Sequence, residues 1–186
     1  MAARTSSSSR RTRDMVAAAL VTALMAATGW VSIPLGAVPV TLQTFGVALA
    51  ALLLPPAWAA GSMAVYVALG AIGVPLFAGG QAGLGVIAGP TGGYLIGFIV
   101  AAGVGSFVRT AAHQAKAPEL LADAIAGIML LSLVYLVGTP WLAYTLHLSL
   151  AKAVLAGVVP FVAGDAAKVA VAIVIASAVR KAGARL

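Results

Sequence analysis

Cysteine is absent from this chain of 186 residues, which excludes disulfides, thiolate metal ligands and thiol catalysis and leaves the redox compartment undetermined. Histidine is scarce: His113 and His147 are far apart and have no neighbouring carboxylates, so a histidine-based metal site is not expected. Charge is scarcer still for a protein of this size. Only 8% of residues are charged, against about a quarter in soluble domains. Of the four acidic residues only Asp165 is expected within the membrane, so paired-carboxylate acid–base chemistry is not expected. No serine stands in a G-x-S-x-G setting, and no G-x-x-x-x-G-K-[ST] loop is present for ATP phosphates. Gly83-x-Gly85-x-x-Ala88 has the letters of a dinucleotide fingerprint. It follows no predicted strand and has no acidic residue about 20 positions on, so it is rejected. These absences argue against an enzyme and against a metal or organic cofactor.

What the chain does have is apolar surface. Apolar residues make up 62% of the sequence, more than one core of this length could hide from water. Lipid is the solvent that makes such a composition reasonable. The net charge of +7 is concentrated at the ends of apolar runs rather than spread over a basic face with interleaved aromatics, which argues against nucleic acid. Arg4, Arg10, Arg11 and Arg13 lie in a Ser-rich N-terminal segment, Arg109 and Lys116 between two apolar runs, and Arg180, Lys181 and Arg185 near the other end. Only Lys152 and Lys168 fall elsewhere.

Apolar stretches bounded by Pro, Gly and charge predict six spans, at roughly 15–32, 44–56, 57–73, 94–110, 120–139 and 160–180. Residues 1–14 are expected to be a disordered basic tail, followed by one six-helix membrane domain over 15–186. The run 15–31 is long for a signal-peptide core and lacks a clear A-x-A exit, so it is expected as a retained span. Pro55-Pro56 cannot sit inside an unbroken helix and reads as a tight hairpin, with one kinked span as the alternative. With both termini cytoplasmic, six spans put all three basic clusters on the inside, as the positive-inside rule expects. The loops 33–44, 73–93 and around 140–159 are then external. Two of them are rich in Gly and Pro yet apolar, so they are expected to fold back over the helices. A short interfacial helix is expected over 142–157, with Trp141, Tyr144 and His147 near the headgroups.

Asp165 and Lys168 lie inside the last span, in GDAAKVAVAIVIASAV, at the i, i+3 spacing of one helical face. Charges inside a span are costly and are kept when they pair or when they serve a pathway or ligand. A self-neutralising structural ion pair is one reading of the two residues, and a place at the outer end of a ligand cavity is the favoured one. Small residues recur every four positions at Ala19, Ala23 and Ala27, and again at Gly93, Gly97, Ala101 and Gly105. Such stripes let backbones approach closely. Internal packing is expected for the second; for the first, internal packing and docking on a partner are equally open.

PVTLQTFGVALAALLL (39–54), GAIGVPLFAGGQAGLGVIAGPTGGYLIGF (70–98) and VPFVAGDAAK (159–168) resemble the BioY family, the biotin-binding S components of energy-coupling factor transporters. The resemblance runs from about residue 15 to 180. It implies a six-helix protein of the bacterial or archaeal cell membrane that captures biotin from outside with high affinity. It also implies a transmembrane coupling subunit and two ATPase subunits as partners. Asp165 and Lys168 correspond to substrate-site positions, and Ala19 and Ala23 best match the motif that docks on the coupling subunit. Tyr94, Gln43, Gln81 and Thr91 are polar residues of the matched external segments that could complete a biotin site. The ureido ring needs an acceptor and a donor, which Asp165 and Lys168 can supply; Lys168 on the valerate carboxylate is the other assignment. An S component for another vitamin, or a non-transporting membrane assembly subunit, are the alternative readings.

Overall fold

The computed structural model describes residues 7–183, and among them the chain is all-helical apart from one pair of two-residue strands. The helices are α1 (Ser7–Trp30), α2 (Gln43–Leu53), α3 (Pro56–Ala71), α4 (Leu84–Ala88), α5 (Gly92–Gln114), α6 (Glu119–Thr145), α7 (Leu150–Gly157) and α8 (Val162–Lys181). Three of them, α5, α6 and α8, are long and apolar enough to cross a membrane; α2 and α3 are shorter apolar helices.

The Pro55-Pro56 dipeptide divides α2 from α3 as a hairpin. Leu54 is held extended at ψ 150°, as the residue before a proline prefers, and Pro56 begins α3, where its missing N–H costs nothing. At 11 residues α2 is about 16 Å long, about half the thickness of a bilayer core. It is short because it lies inside the bundle: every residue from Gly46 to Leu52 is buried, against α1, α3, α5, α6 and α8. A helix apolar on all sides is expected in such a place. Small residues set how closely its neighbours approach. A Cβ at Gly46 would lie 2.9 Å from Met25 Sδ, and one at Gly105 would lie 3.3 Å from the Ala51 methyl.

The carbonyls at the C-terminal end of α2 have no helical partners and are capped from elsewhere. Leu52 O accepts from Arg180 Nη1 at 3.2 Å, and Leu54 O from Ser106 Oγ at 2.6 Å. Arg180 also pairs with Asp123 and Glu119, and Arg109 Nε holds the other Asp123 oxygen at 2.7 Å. One four-membered, charge-neutral network therefore ties α2, α5, α6 and α8 together at this end. Asp123 is only 1% exposed, so a second buried carboxylate joins Asp165 in the helical bundle.

Helices α5 and α6 form the tightest hairpin. A Cβ at Gly93 would fall 2.2 Å from that of Trp141, and Cβ atoms at Gly97 and Gly105 would meet the α6 carbonyls of Val134 and Ala126 at 3.3 and 3.5 Å. The second small-residue stripe is thus internal packing.

Two boundaries differ from the sequence reading. Helix α1 starts at Ser7, so residues 7–14 are helical rather than tail; residues 1–6 lie outside the described residues. Once a helix is nucleated each added residue gains one hydrogen bond, and nothing in SSRRTRD breaks it. Likewise α6 continues through Pro140 to Thr145, and the short helix is α7 at Leu150–Gly157, opened by the Ser149 cap on Lys152 N. A proline within a membrane helix is tolerated where neighbours make good the lost bond. Trp141 is half-buried and turned toward the protein, whereas Tyr144 and His147 are exposed.

The Gly/Pro segments do fold over the bundle. Ser32–Ile33 pairs antiparallel with Val40–Thr41. In the next segment the Phe77 ring is buried where a Cβ at Gly70 would be 2.2 Å away, and it meets Tyr66 edge-on at 5.7 Å.

Candidate functional site

The first turn of α8 carries the centre of the site. Asp165 follows Pro160 and Phe161 and its N–H donates to Phe161 O at 2.8 Å, fixing the start of the helix. A carboxylate in the first turn is favoured by the helix dipole. It is 6% exposed, and both oxygens are engaged: Oδ1 accepts from Lys168 Nζ at 2.8 Å and Oδ2 from Tyr135 Oη at 2.7 Å. Each oxygen keeps a lone pair, Lys168 keeps two N–H donors, and the Tyr135 oxygen keeps its acceptor capacity. The trio is neutral overall, so burial is tolerated while donors and acceptors remain for a guest.

These three side chains line a cavity with about 620 Å³ of atom-free space, its open mouth included. Val86, Leu95, Phe98, Val134 and Phe161 supply apolar wall. Of the residues singled out from sequence, Asp165, Lys168, Tyr94, Gln43 and Thr91 line this cavity. Gln81 does not. It is exposed and lines an outer vestibule, which shares Pro39, Ala78, Val86 and Thr91 with the inner cavity.

Gln43 is oriented by proton counting. Tyr66 Oη donates its proton to Leu76 O at 2.8 Å, so it must accept from Gln43, whose Nε2 lies 2.5 Å away. The Gln43 Oε1 then faces Thr41 Oγ1, which donates to it at 2.9 Å. Tyr94 is held as firmly. Its hydroxyl donates to Gly157 O at 3.0 Å, and its ring fills space that a Cβ at Gly138 would enter to within 2.4 Å.

Tyr135 was missed in the sequence. Its signal is a tyrosine inside the apolar run LLSLVYLVG, where a buried hydroxyl needs a partner. Thr44 was missed too; it is buried on the cavity wall, and nothing in its spacing marks it. Ala19 and Ala23 are exposed on the outer face of α1, together with Ala27, Leu20 and Leu24, while Ala17, Ala18, Val21 and Met25 face the core. The described residues contain no group of three or more side chains able to hold a metal ion.

An apolar helical bundle enclosing a cavity whose wall bears a neutralised Asp–Lys–Tyr trio is a membrane-type small-ligand-binding protein. The chain belongs to the BioY family, whose model matches residues 2–185. It is 41% identical over 171 residues to the biotin transporter BioY of Thermotoga maritima, covering 91% of this chain and 96% of that protein. It is 38% identical over 176 residues to the biotin transporter BioY of Rhodobacter capsulatus, covering 86% and 88%. The fold resembles the crystal structure of the S-component for biotin from an ECF-type ABC transporter, with a TM-score of 0.85 and 27% identity over 92% of this chain and 93% of the other.

Proposed function

We propose that this chain is the biotin-binding S component of an ATP-driven vitamin uptake transporter. The observation that carries the reading is the buried Asp165 carboxylate, bridged by Lys168 and Tyr135 on the wall of an apolar cavity. A ureido ring matches that trio. Its N–H groups donate to the spare lone pairs of Asp165, and its carbonyl accepts from a spare Lys168 N–H. The thioether ring and the valerate chain lie against Phe98, Val134 and Val86. The carboxylate points to the mouth, where Thr91 borders both spaces and Gln81 lies beyond it.

The helices α1, α2, α3, α5, α6 and α8 are the six spans, with α2 completing its crossing through the extended residues before it. Both termini are cytoplasmic, the cavity mouth is external, and the membrane is that of a bacterial or archaeal cell. Ala19 and Ala23 form the contact with a transmembrane coupling subunit, which two ATPase subunits energise; their exposure on α1 supports this. The chain itself carries out no catalysis and needs no cofactor, since biotin is cargo.

The test is titration of purified protein with biotin, repeated in the presence of excess thiamine or riboflavin. Saturable binding that neither competitor displaces is expected. Displacement by either vitamin assigns the cavity to a different cargo, and the absence of any binding leaves an assembly role.

A further inference from the structure

Four residues, Pro39, Ala78, Val86 and Thr91, line both the inner cavity and the outer vestibule, so together they form the partition between them. Val86 belongs to α4, a helix of five residues between Gly83, at φ 96°, and Gly89. None of the α4 residues is buried, so packing alone holds this helix weakly. Its ends are tied instead. Gly83 N–H donates to Gly70 O at 2.7 Å, and Gly89 O accepts the indole N–H of Trp141 at 2.9 Å. Gly89 O also accepts at 3.1 Å from the N–H of Gly92, the first residue of α5, so Trp141 is the tie from α6 and this bond the tie from α5. Trp141 reaches from α6, its Cβ seated where a side chain at residue 93 would stand. It lines neither the inner cavity nor the vestibule.

We infer that Trp141 is a positioning residue that latches α4, and with it Val86, across the mouth of the ligand cavity. The indole touches no ligand; it acts through the Gly89 carbonyl on how often the partition opens. The inference rests on the reading of the inner cavity as the biotin site. Because the latch is one neutral hydrogen bond, removing it raises the opening of α4 by about five-fold, the factor one such bond supplies.

Trp141→Phe keeps a ring on Gly93 and removes the N–H. In ligand-free protein, amide hydrogen exchange over 84–89 is expected to quicken about five-fold, with α3 and the body of α5 unchanged. Wild-type exchange over 84–89 would overturn the inference. Biotin association and dissociation rates should rise together, leaving the Kd little altered. A rise in the dissociation rate alone would mark a damaged cavity wall and also overturn it. If wild-type protein binds no biotin, the transport reading fails while the exchange measurement still decides the latch. If the Phe variant loses protection throughout, benzothienylalanine at 141, with sulfur in place of the N–H and the same shape, gives the same comparison.

Discussion

Replacing Arg180 by methionine tests the network at the cytoplasmic end of the proposed topology. Methionine fills most of the space of the arginine stem and removes every donor. Three interactions go. The charge-assisted bond to Asp123, which is 1% exposed, is worth about 1.5–3 kcal/mol, and the bond to Leu52 O about 1 kcal/mol. The contact with Glu119 adds only a few tenths, because that carboxylate is 42% exposed and screened. Arg109 stays on Asp123 at 2.7 Å and keeps the loss below that of a fully orphaned buried charge. The sum is about 3 kcal/mol, or a fall of roughly 6–12 °C in the melting temperature of a chain this size. Thermal unfolding in detergent measures it. Adding Asp123→Asn should recover part of the loss, since the buried charge that Arg180 serves is then gone. Biotin affinity should hold, because Arg180 lies about 22 Å along α8 from Asp165 at 1.5 Å per residue. A melting shift under 2 °C, or strictly additive effects of the two substitutions, would refute the reasoning.

Other substitutions probe the site and its surroundings. Tyr135→Phe removes the 2.7 Å donor from Asp165 and should weaken biotin binding about 10-fold in calorimetry, with the fold intact. Gly138→Ala brings a methyl to 2.4 Å from the Tyr94 ring, so overpacking of about 1–3 kcal/mol should lower both the melting temperature and the affinity. Gly164→Ala on α8 meets nothing within 4 Å and should be neutral or slightly stabilising in the same assays. Ala23→Leu, on the outer face of α1, should leave melting and biotin binding unchanged and abolish co-purification with the coupling subunit.

How much of this was legible in the sequence follows from which forces act locally. Pro55-Pro56 divides two helices by the geometry of proline alone, and it does so in the structure. The Asp165–Lys168 pair was visible because a charge in an apolar run demands a partner one turn away. Tyr135 comes to Asp165, and Thr44 to the cavity they share, only through the packing of α2, α6 and α8, which local spacing does not encode. The same holds for the Asp123 network, whose members are up to 71 residues apart by number, from Arg109 to Arg180. The start of α1 was misread because a polar composition suits a tail and a helix continued from an apolar span equally well. Pro140 marked an end in the sequence, yet α6 runs through it, because a neighbouring helix can support what the proline omits.

The most direct test of the central claim is the biotin affinity of Asp165→Asn and Lys168→Ala, each purified and titrated beside the wild type. Asparagine keeps the shape of the aspartate and removes its charge, and alanine removes the ammonium donor. Each variant is expected to bind biotin about 10- to 100-fold more weakly, the loss of one charge-assisted bond to a buried guest. Wild-type affinity in both variants would contradict the account.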